Sequence, residues 1–188
     1  RLAWRSLRTP AYRRRWPERL GVIHPAIGER VIWLHAVSVG EVQAAVPLIR
    51  ALLQKAEYSI LVTTTTPTGS ARVRDLFGDQ VEQLYAPCDL PGAVARFLDR
   101  LRPRLAIIME TELWPNLFNG CRKRRIPLLI VNGRLSTRSL KGYRRVPGLM
   151  AKTVAAISGV AAQTSRDAER YALLGVGSAR IRVTGNLK

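Results

Sequence analysis

The sequence predicts a doubly wound, Rossmann-like α/β domain built on a mostly parallel sheet. Three observations lead there: seven short, almost continuously apolar runs, helical periodicities between them, and polar residues gathered directly after the runs. Continuous apolarity, rather than strict alternation, marks strands that are covered on both faces, as parallel strands are. A strand followed by a helix, repeated along the chain, places those strands in one sheet.

In chain order the strand candidates are VIWLHAV (31–37), SILVTT (59–64), VEQLYA (81–86), RLAIIM (104–109), PLLIVN (127–132), GVAAQT (159–164) and RIRVTGN (180–186). After the first, Val42, Ala45, Val46, Ile49, Leu52 and Leu53 recur at helical spacing, and Ala93, Val94, Phe97, Leu98 and Leu101 do so after the third. STRSLKGYRRVPG (136–148) reads as the most loop-like interior stretch. Residues 1–20 stand apart as a basic arm, with Trp4 and Trp16 among Arg1, Arg5, Arg8, Arg13, Arg14, Arg15 and Arg19, so the expected division is an arm over 1–20 and one domain over 21–188. The arm is either a solvated charged segment or a contact with an anionic membrane surface, where tryptophan rings favour the interface.

Composition limits the function classes. At 188 residues and 47% hydrophobic the chain suffices for one well-buried domain. Lys and Arg number 31 against 13 Asp and Glu, a formal +18, and such a field attracts polyanions or anionic surfaces. Cys88 and Cys121 are far apart and match no zinc or disulfide spacing, which fits a reducing compartment. No run of about 18 apolar residues is present to span a membrane. The chain opens at Arg1 without a signal-like segment, so a preceding piece is expected. There is no phosphate-binding G-x-x-x-x-G-K-[ST], and Gly175 and Gly177 lack the third glycine and the preceding strand of a dinucleotide fingerprint. Of the two histidines, His24 and His35, the latter lies within an apolar strand and reads as a hydrogen-bonded structural residue.

Open α/β sheets bind ligands beyond the carboxyl ends of their strands, so the residues there carry the most weight. Ser38, Gly40 and Glu41 follow the first run; Thr65 and Thr66, within TTTTPTG (63–69), follow the second. Glu110 and Glu112 follow the fourth, Arg134, Ser136, Arg138 and Ser139 the fifth, and Gln163, Thr164 and Ser165 the sixth. These are expected to converge on one crevice and to support carboxylate chemistry on an anionic substrate. Glu41 has two readings: a general base, or a charge that stabilises a helix amino terminus by about 0.3–1 kcal/mol. The helix dipole would lower its pKa, and burial under a second domain closing over it would raise it again. Of Glu110 and Glu112, one is expected to bind or orient and the other to cap the next helix. Arg134 and Arg138 offer the fork geometry suited to a phosphate or a sugar carboxylate, and Trp114 and Pro115 read as packing.

SVGE, TTTTPTG, METELWPN, NGRLSTRS and the terminal VTGNLK, in this order and at these spacings, closely resemble the amino-terminal half of 3-deoxy-D-manno-octulosonic acid (Kdo) transferases of the lipopolysaccharide pathway. The resemblance covers nearly the whole chain. It implies one half of a two-domain GT-B type, inverting glycosyltransferase that uses no metal and no cofactor. This half would bind the acceptor, a phosphorylated lipid A precursor, and the other half most of the donor, CMP-Kdo. Glu41 falls on the family's base, and Ser38, Gly40, Thr65, Thr66, Glu110, Glu112, Arg134, Ser136 and Arg138 are the expected acceptor-binding residues. The implied setting is the cytoplasmic face of the bacterial inner membrane, held peripherally or by a segment upstream of Arg1, and the half alone is expected to be inactive. Another lipid glycosyltransferase with a different nucleotide sugar is the alternative within the class. A basic nucleic-acid-binding module, which the pI of 11.4 would suit, is the alternative outside it. The strand-end carboxylates would repel a phosphate backbone, so no nucleic-acid partner is expected, while oligomeric state stays open.

Overall fold

The computed structural model describes residues 15–23, 28, 30–55 and 57–187. Seven strands form one sheet: β1 (Val31–His35), β2 (Ser59–Thr64), β3 (Glu82–Tyr85), β4 (Leu105–Met109), β5 (Leu128–Gly133), β6 (Gly159–Ala162) and β7 (Ile181–Val183). All seven anticipated runs are present: β2 keeps the expected bounds, β5 is shifted by one residue to end at Gly133, and the others are shorter by one to four residues. Every pairing is parallel, in the order β3-β2-β1-β4-β5-β6-β7. The helices are α1 (Trp16–Arg19), α2 (Val39–Leu53), α3 (Pro67–Phe77), α4 (Pro91–Leu101), α5 (Pro115–Lys123), α6 (Thr137–Tyr143), α7 (Pro147–Val154) and α8 (Ser165–Leu173).

Side chains alternate across a strand, so β1 feeds two cores. Ile32 and Leu34 pack on one face with Val42, Ala45 and Ile49 of α2 and Val73 and Phe77 of α3. Trp33 points to the other face, among Phe97 and Leu98 of α4, Phe118 of α5 and Tyr171 of α8. Trp33 is fully buried, its ring meets Phe97 edge-on at 5.0 Å, and its indole N–H donates to Thr63 Oγ1 at 2.8 Å. That bond satisfies the one polar atom its burial would otherwise strand.

The winding reverses between β1 and β4. From β1 the chain adds β2 and β3 on one side, then crosses back to add β4 through β7 on the other. The residues that follow β1 and β4 therefore border the crevice at the switch point, where open parallel sheets bind their ligands.

Two local findings depart from the sequence expectations or extend them. The stretch 136–148 is mostly helical: α6 occupies 137–143 and α7 starts at Pro147. Ser136 caps α6, its Oγ accepting from the Ser139 N–H at 3.0 Å, and Leu140 is the single buried residue of that helix, so the sequence holds no apolar period to reveal it. At the other end, Arg15–Arg19, read above as the tail of the arm, pack against β3. Arg15 pairs with Glu18 at 2.5 Å and donates to Gln83 Oε1 at 2.8 Å, Glu18 accepts from the Tyr85 N–H at 2.7 Å, and Arg19 is fully buried. Arg1–Arg14 and His24 lie outside the described residues.

Gly21 closes this segment with φ of 80°, and a Cβ there would stand 2.0 Å from the Ala93 carbonyl oxygen of α4. Both the dihedral and the contact exclude a side chain. Gly21→Ala is expected to destabilise the chain by about 2 kcal/mol or more, lowering the thermal midpoint by about 4–8 °C. An unchanged melting curve would show that residues 15–23 are not held as described.

Candidate active site

The site begins with the turn between β1 and α2. Ser38 is extended at the N-cap position, which puts Glu41 in the first turn of α2. Ser-x-x-Glu is the spacing at which a glutamate reaches back over a helix start. Here Glu41 Oε2 accepts from the Val37 N–H at 2.8 Å and Oε1 from the Ser38 hydroxyl at 3.2 Å. Ser38 thus donates to the carboxylate instead of capping the helix itself. Glu41 is 8% exposed, and its burial pushes its pKa up to about 7. The Val37 and Ser38 hydrogen bonds oppose that rise, and the negative charges of Glu110 and Glu112 add to it. Burial outweighs those two hydrogen bonds, so the carboxyl is poised near neutrality, where a general base works best.

Neighbouring strand ends are tied to this turn. Thr65, just past β2, donates twice to the Val37 carbonyl, from its N–H at 3.2 Å and its hydroxyl at 3.1 Å. Glu110, just past β4, takes a left-handed φ of 56° and donates its N–H to Val131 O at 3.0 Å. A non-glycine residue in that region costs about 1–3 kcal/mol, a strain that concentrates at functional sites. Glu112 Oε2 accepts from the Trp114 indole N–H at 2.5 Å, and the Trp114 ring meets that of His35 edge-on at 4.9 Å. His35 is itself buried, with Nδ1 2.9 Å from Thr63 Oγ1; burial lowers its pKa to about 4, so it is neutral at ordinary pH.

Several anticipated roles are redistributed. Neither Glu110 nor Glu112 caps α5; Asp89, from the loop after β3, does so, accepting from the Leu117 N–H at 2.8 Å and the Asn116 N–H at 3.2 Å. The Thr66 hydroxyl caps α3, accepting from the Gly69 N–H at 3.1 Å, and Ser136 caps α6. Arg138 stands exposed in the first turn of α6, not in a loop. Arg134 is exposed, and its carbonyl accepts from the Thr111 hydroxyl, linking the β5 loop to the Glu110–Glu112 turn. Gly40 is exposed in the first turn of α2, where an added Cβ would meet only the Ser38 hydroxyl, at 4.0 Å. Thus Ser38, Gly40, Glu41, Thr65, Glu110 and Glu112 gather at the switch point, Arg134 joins through its backbone, and Thr66, Ser136 and Arg138 serve or flank neighbouring helices. Sequence reasoning missed Arg19, Asp89 and Trp114 as parts of this edge. Among the described residues, no group of three or more His, Cys, Asp or Glu is arranged to hold a metal ion.

The raised pKa of Glu41 has a stability signature. A carboxyl that binds its proton more tightly when folded stabilises the fold fully below its unfolded value of about 4.5. That contribution is lost as pH rises through the folded value of about 7. Glu41→Gln removes the titration, so the variant should gain stability relative to the parent between pH 5 and pH 8. Thermal melts at the two pH values test this; a pH-independent difference would place the Glu41 pKa near that of an ordinary carboxylate.

Residues 14–188 match the family model described as 3-deoxy-D-manno-octulosonic-acid transferase (kdotransferase). The chain is 45% identical over 186 residues to the 3-deoxy-D-manno-octulosonic acid transferase of Haemophilus influenzae, covering 97% of this chain and 44% of that protein. It is 39% identical over 175 residues to the enzyme of the same name from Bordetella pertussis, covering 90% and 40%. It therefore spans less than half the length of these relatives. Among solved structures it resembles the UDP-GlcNAc 2-epimerase of Neisseria meningitidis bound to UDP-GlcNAc, with a TM-score of 0.58, 16% identity, and coverage of 85% of this chain and 47% of that one. At that identity the likeness speaks for the fold alone: one Rossmann-like half of a GT-B type architecture. With the family match running across nearly all its length, the chain belongs to the 3-deoxy-D-manno-octulosonic-acid transferase family.

Proposed function

We propose that this chain supplies the acceptor-binding half and the general base of an inverting glycosyltransferase that moves Kdo from CMP-Kdo to a phosphorylated lipid A precursor. The observation that carries the proposal is the buried Glu41 carboxyl, held at the switch point with a pKa of about 7. In the reaction the acceptor hydroxyl oxygen attacks the anomeric carbon of Kdo. The bond from that carbon to the phosphate of CMP breaks, CMP leaves with the electron pair, and the hydroxyl proton passes to Glu41. One displacement inverts the anomeric centre. Fixed at both oxygens by Val37 and Ser38, the carboxylate is pre-positioned and meets no reorganisation during proton transfer. Burial, with the charges of Glu110 and Glu112 adding to it, keeps its pKa high, which makes it the stronger base once ionised. Ser38, Gly40 and Thr65 border the acceptor, with Arg134 and Arg138 reaching toward its phosphates. The donor is held mainly by the remaining length that the family's proteins have.

A lipid acceptor places the reaction at the cytoplasmic face of the inner membrane, and the formal +18 suits an anionic leaflet. No helix among the described residues is long and apolar enough to cross a membrane. Attachment is therefore assigned to the basic arm, to exposed arginines, or to a segment preceding Arg1. The nucleic-acid reading is disfavoured by Glu41, Glu110 and Glu112, which put negative charge where a phosphate backbone would lie.

Two outcomes test the proposal. In the whole protein, this chain joined to the remainder of its relatives' length, Glu41→Gln should lower kcat by about 100-fold or more with little change in acceptor KM. The parent's kcat/KM should rise with pH through about 7 as the free carboxyl ionises. Near-normal turnover of the variant would make Glu41 structural and pass the role to Glu110 or Glu112. Separately, replacing Arg13 and Arg14 by Gln, and leaving Arg15 because it is bound to Glu18 and Gln83, should weaken binding to anionic vesicles in a salt-sensitive manner. Equal binding with and without the substitutions would remove the arm from the membrane contact.

A further inference from the structure

A recess of about 260 Å³ opens on the carboxyl edge of the sheet, with Arg19, Thr65, Cys88, Asp89, Leu113 and Trp114 in its wall. At this size it takes one group of a ligand and not a whole one, since complete small-molecule sites run to about 300–1,000 Å³. It adjoins the Glu41 turn through two of its wall residues. Thr65 bonds the Val37 carbonyl, whose own amide holds Glu41, and Trp114 holds Glu112.

Arg19 distinguishes this recess from the rest of a strongly basic surface. Among the described residues it is the one buried Arg or Lys, at 1% exposure. The guanidinium Cζ lies over the Tyr85 ring, 4.0 Å from its centroid, and Nη2 donates to the Thr65 carbonyl at 3.0 Å. Its backbone is fixed as well, because the Cys88 N–H donates to Arg19 O at 2.7 Å and Gly21 closes the segment behind it. Stacking and a fixed backbone orient a planar fork, the arrangement by which arginine recognises oxyanions. The negative wall residue, Asp89, has its carboxylate engaged by the Asn116 and Leu117 amides and the Asn116 side chain. Leu113 and the Trp114 ring leave the remaining wall largely apolar, suited to the C–H face of a sugar and to low dielectric around a charge pair.

We propose that this recess is an oxyanion subsite in which Arg19 receives a phosphate group carried by the acceptor sugar, fixing the attacking hydroxyl next to Glu41. The assignment to the acceptor rests on the function proposed above, in which this half of the protein holds the acceptor; the oxyanion site itself does not.

The experiment pairs a variant with a ligand change. In the whole protein, transfer is measured with the phosphorylated lipid acceptor and with the same acceptor stripped of its phosphates, for the parent, Arg19→Lys and Arg19→Gln. For the phosphorylated acceptor, Arg19→Gln should raise KM by about 10- to 100-fold, with Arg19→Lys in between. For the stripped acceptor, whose KM is already high in the parent, neither substitution should have an effect. Equal losses with both acceptors, or no loss with either, would overturn the subsite. Protection of Cys88 from alkylation, read by mass spectrometry on the Cys88 peptide, requires no turnover and, in the parent, no variant. Glucose 1-phosphate should protect Cys88 and glucose should not, with protection lost in a folded Arg19→Gln variant. Protection without transfer to either acceptor would retain the oxyanion site and reject the transferase reading. Absence of protection by the sugar phosphate would reject the site.

Discussion

The side-by-side parallel pairing of β1 with β4 is the constraint on which the rest of the molecule depends. It sets the point where the winding reverses, brings the turn after β1 against the turn after β4, and so gathers Glu41, Glu110 and Glu112 on one edge. It also demands that β1 be buried on both faces, which Ile32 and Leu34 achieve on one side and Trp33 and His35 on the other. Trp33 and His35 bring polar atoms into the interior, and Thr63 on the adjacent strand meets the Trp33 indole N–H and His35 Nδ1. The first strand is therefore at once the centre of the core and the platform of the site.

Charge is arranged in opposition to the whole. A chain with a formal +18 nevertheless brings three carboxylates, Glu41, Glu110 and Glu112, together at the switch point, where burial first and their mutual repulsion second raise the Glu41 pKa instead of lowering it. The Val37 N–H and the Ser38 hydroxyl hold the carboxylate in place and offset part of that cost. Binding of an anionic substrate at such a site needs cations close by. In the subsite proposed above, Arg19, buried under the same edge, would supply one from a segment that precedes the sheet in sequence and folds back onto β3.

Much of this was legible in the residues alone. The strands showed as apolar runs because both faces of a parallel sheet are covered, and Glu41 stood out by following the first of them. Its raised pKa was legible only as the effect of a second domain closing over it; the structure buries Glu41 within this domain already, by neighbours remote in sequence. The same remoteness explains the errors. Asp89 caps α5 from 28 residues away, a tertiary contact that no local spacing announces, so the cap was sought in Glu110 and Glu112. Helix α6 has one apolar anchor, Leu140, and hence no period to read. Arg19 was hidden among the arginines of the arm; the clue was the Gly21 that follows it, a residue whose close approach to α4 fixes the segment against the sheet.

The ionisation of Glu41 itself is the most direct test of the account, read from the side-chain carboxyl signal of carbon-13-labelled glutamate, assigned by its absence in Glu41→Gln, and followed by NMR across the pH range 3–9. The account predicts a titration midpoint near 7, shifted upward by burial and by the neighbouring glutamates. A midpoint near 4 would mean that the carboxylate is solvated and ordinary, and the base at the centre of this site would have to be sought elsewhere.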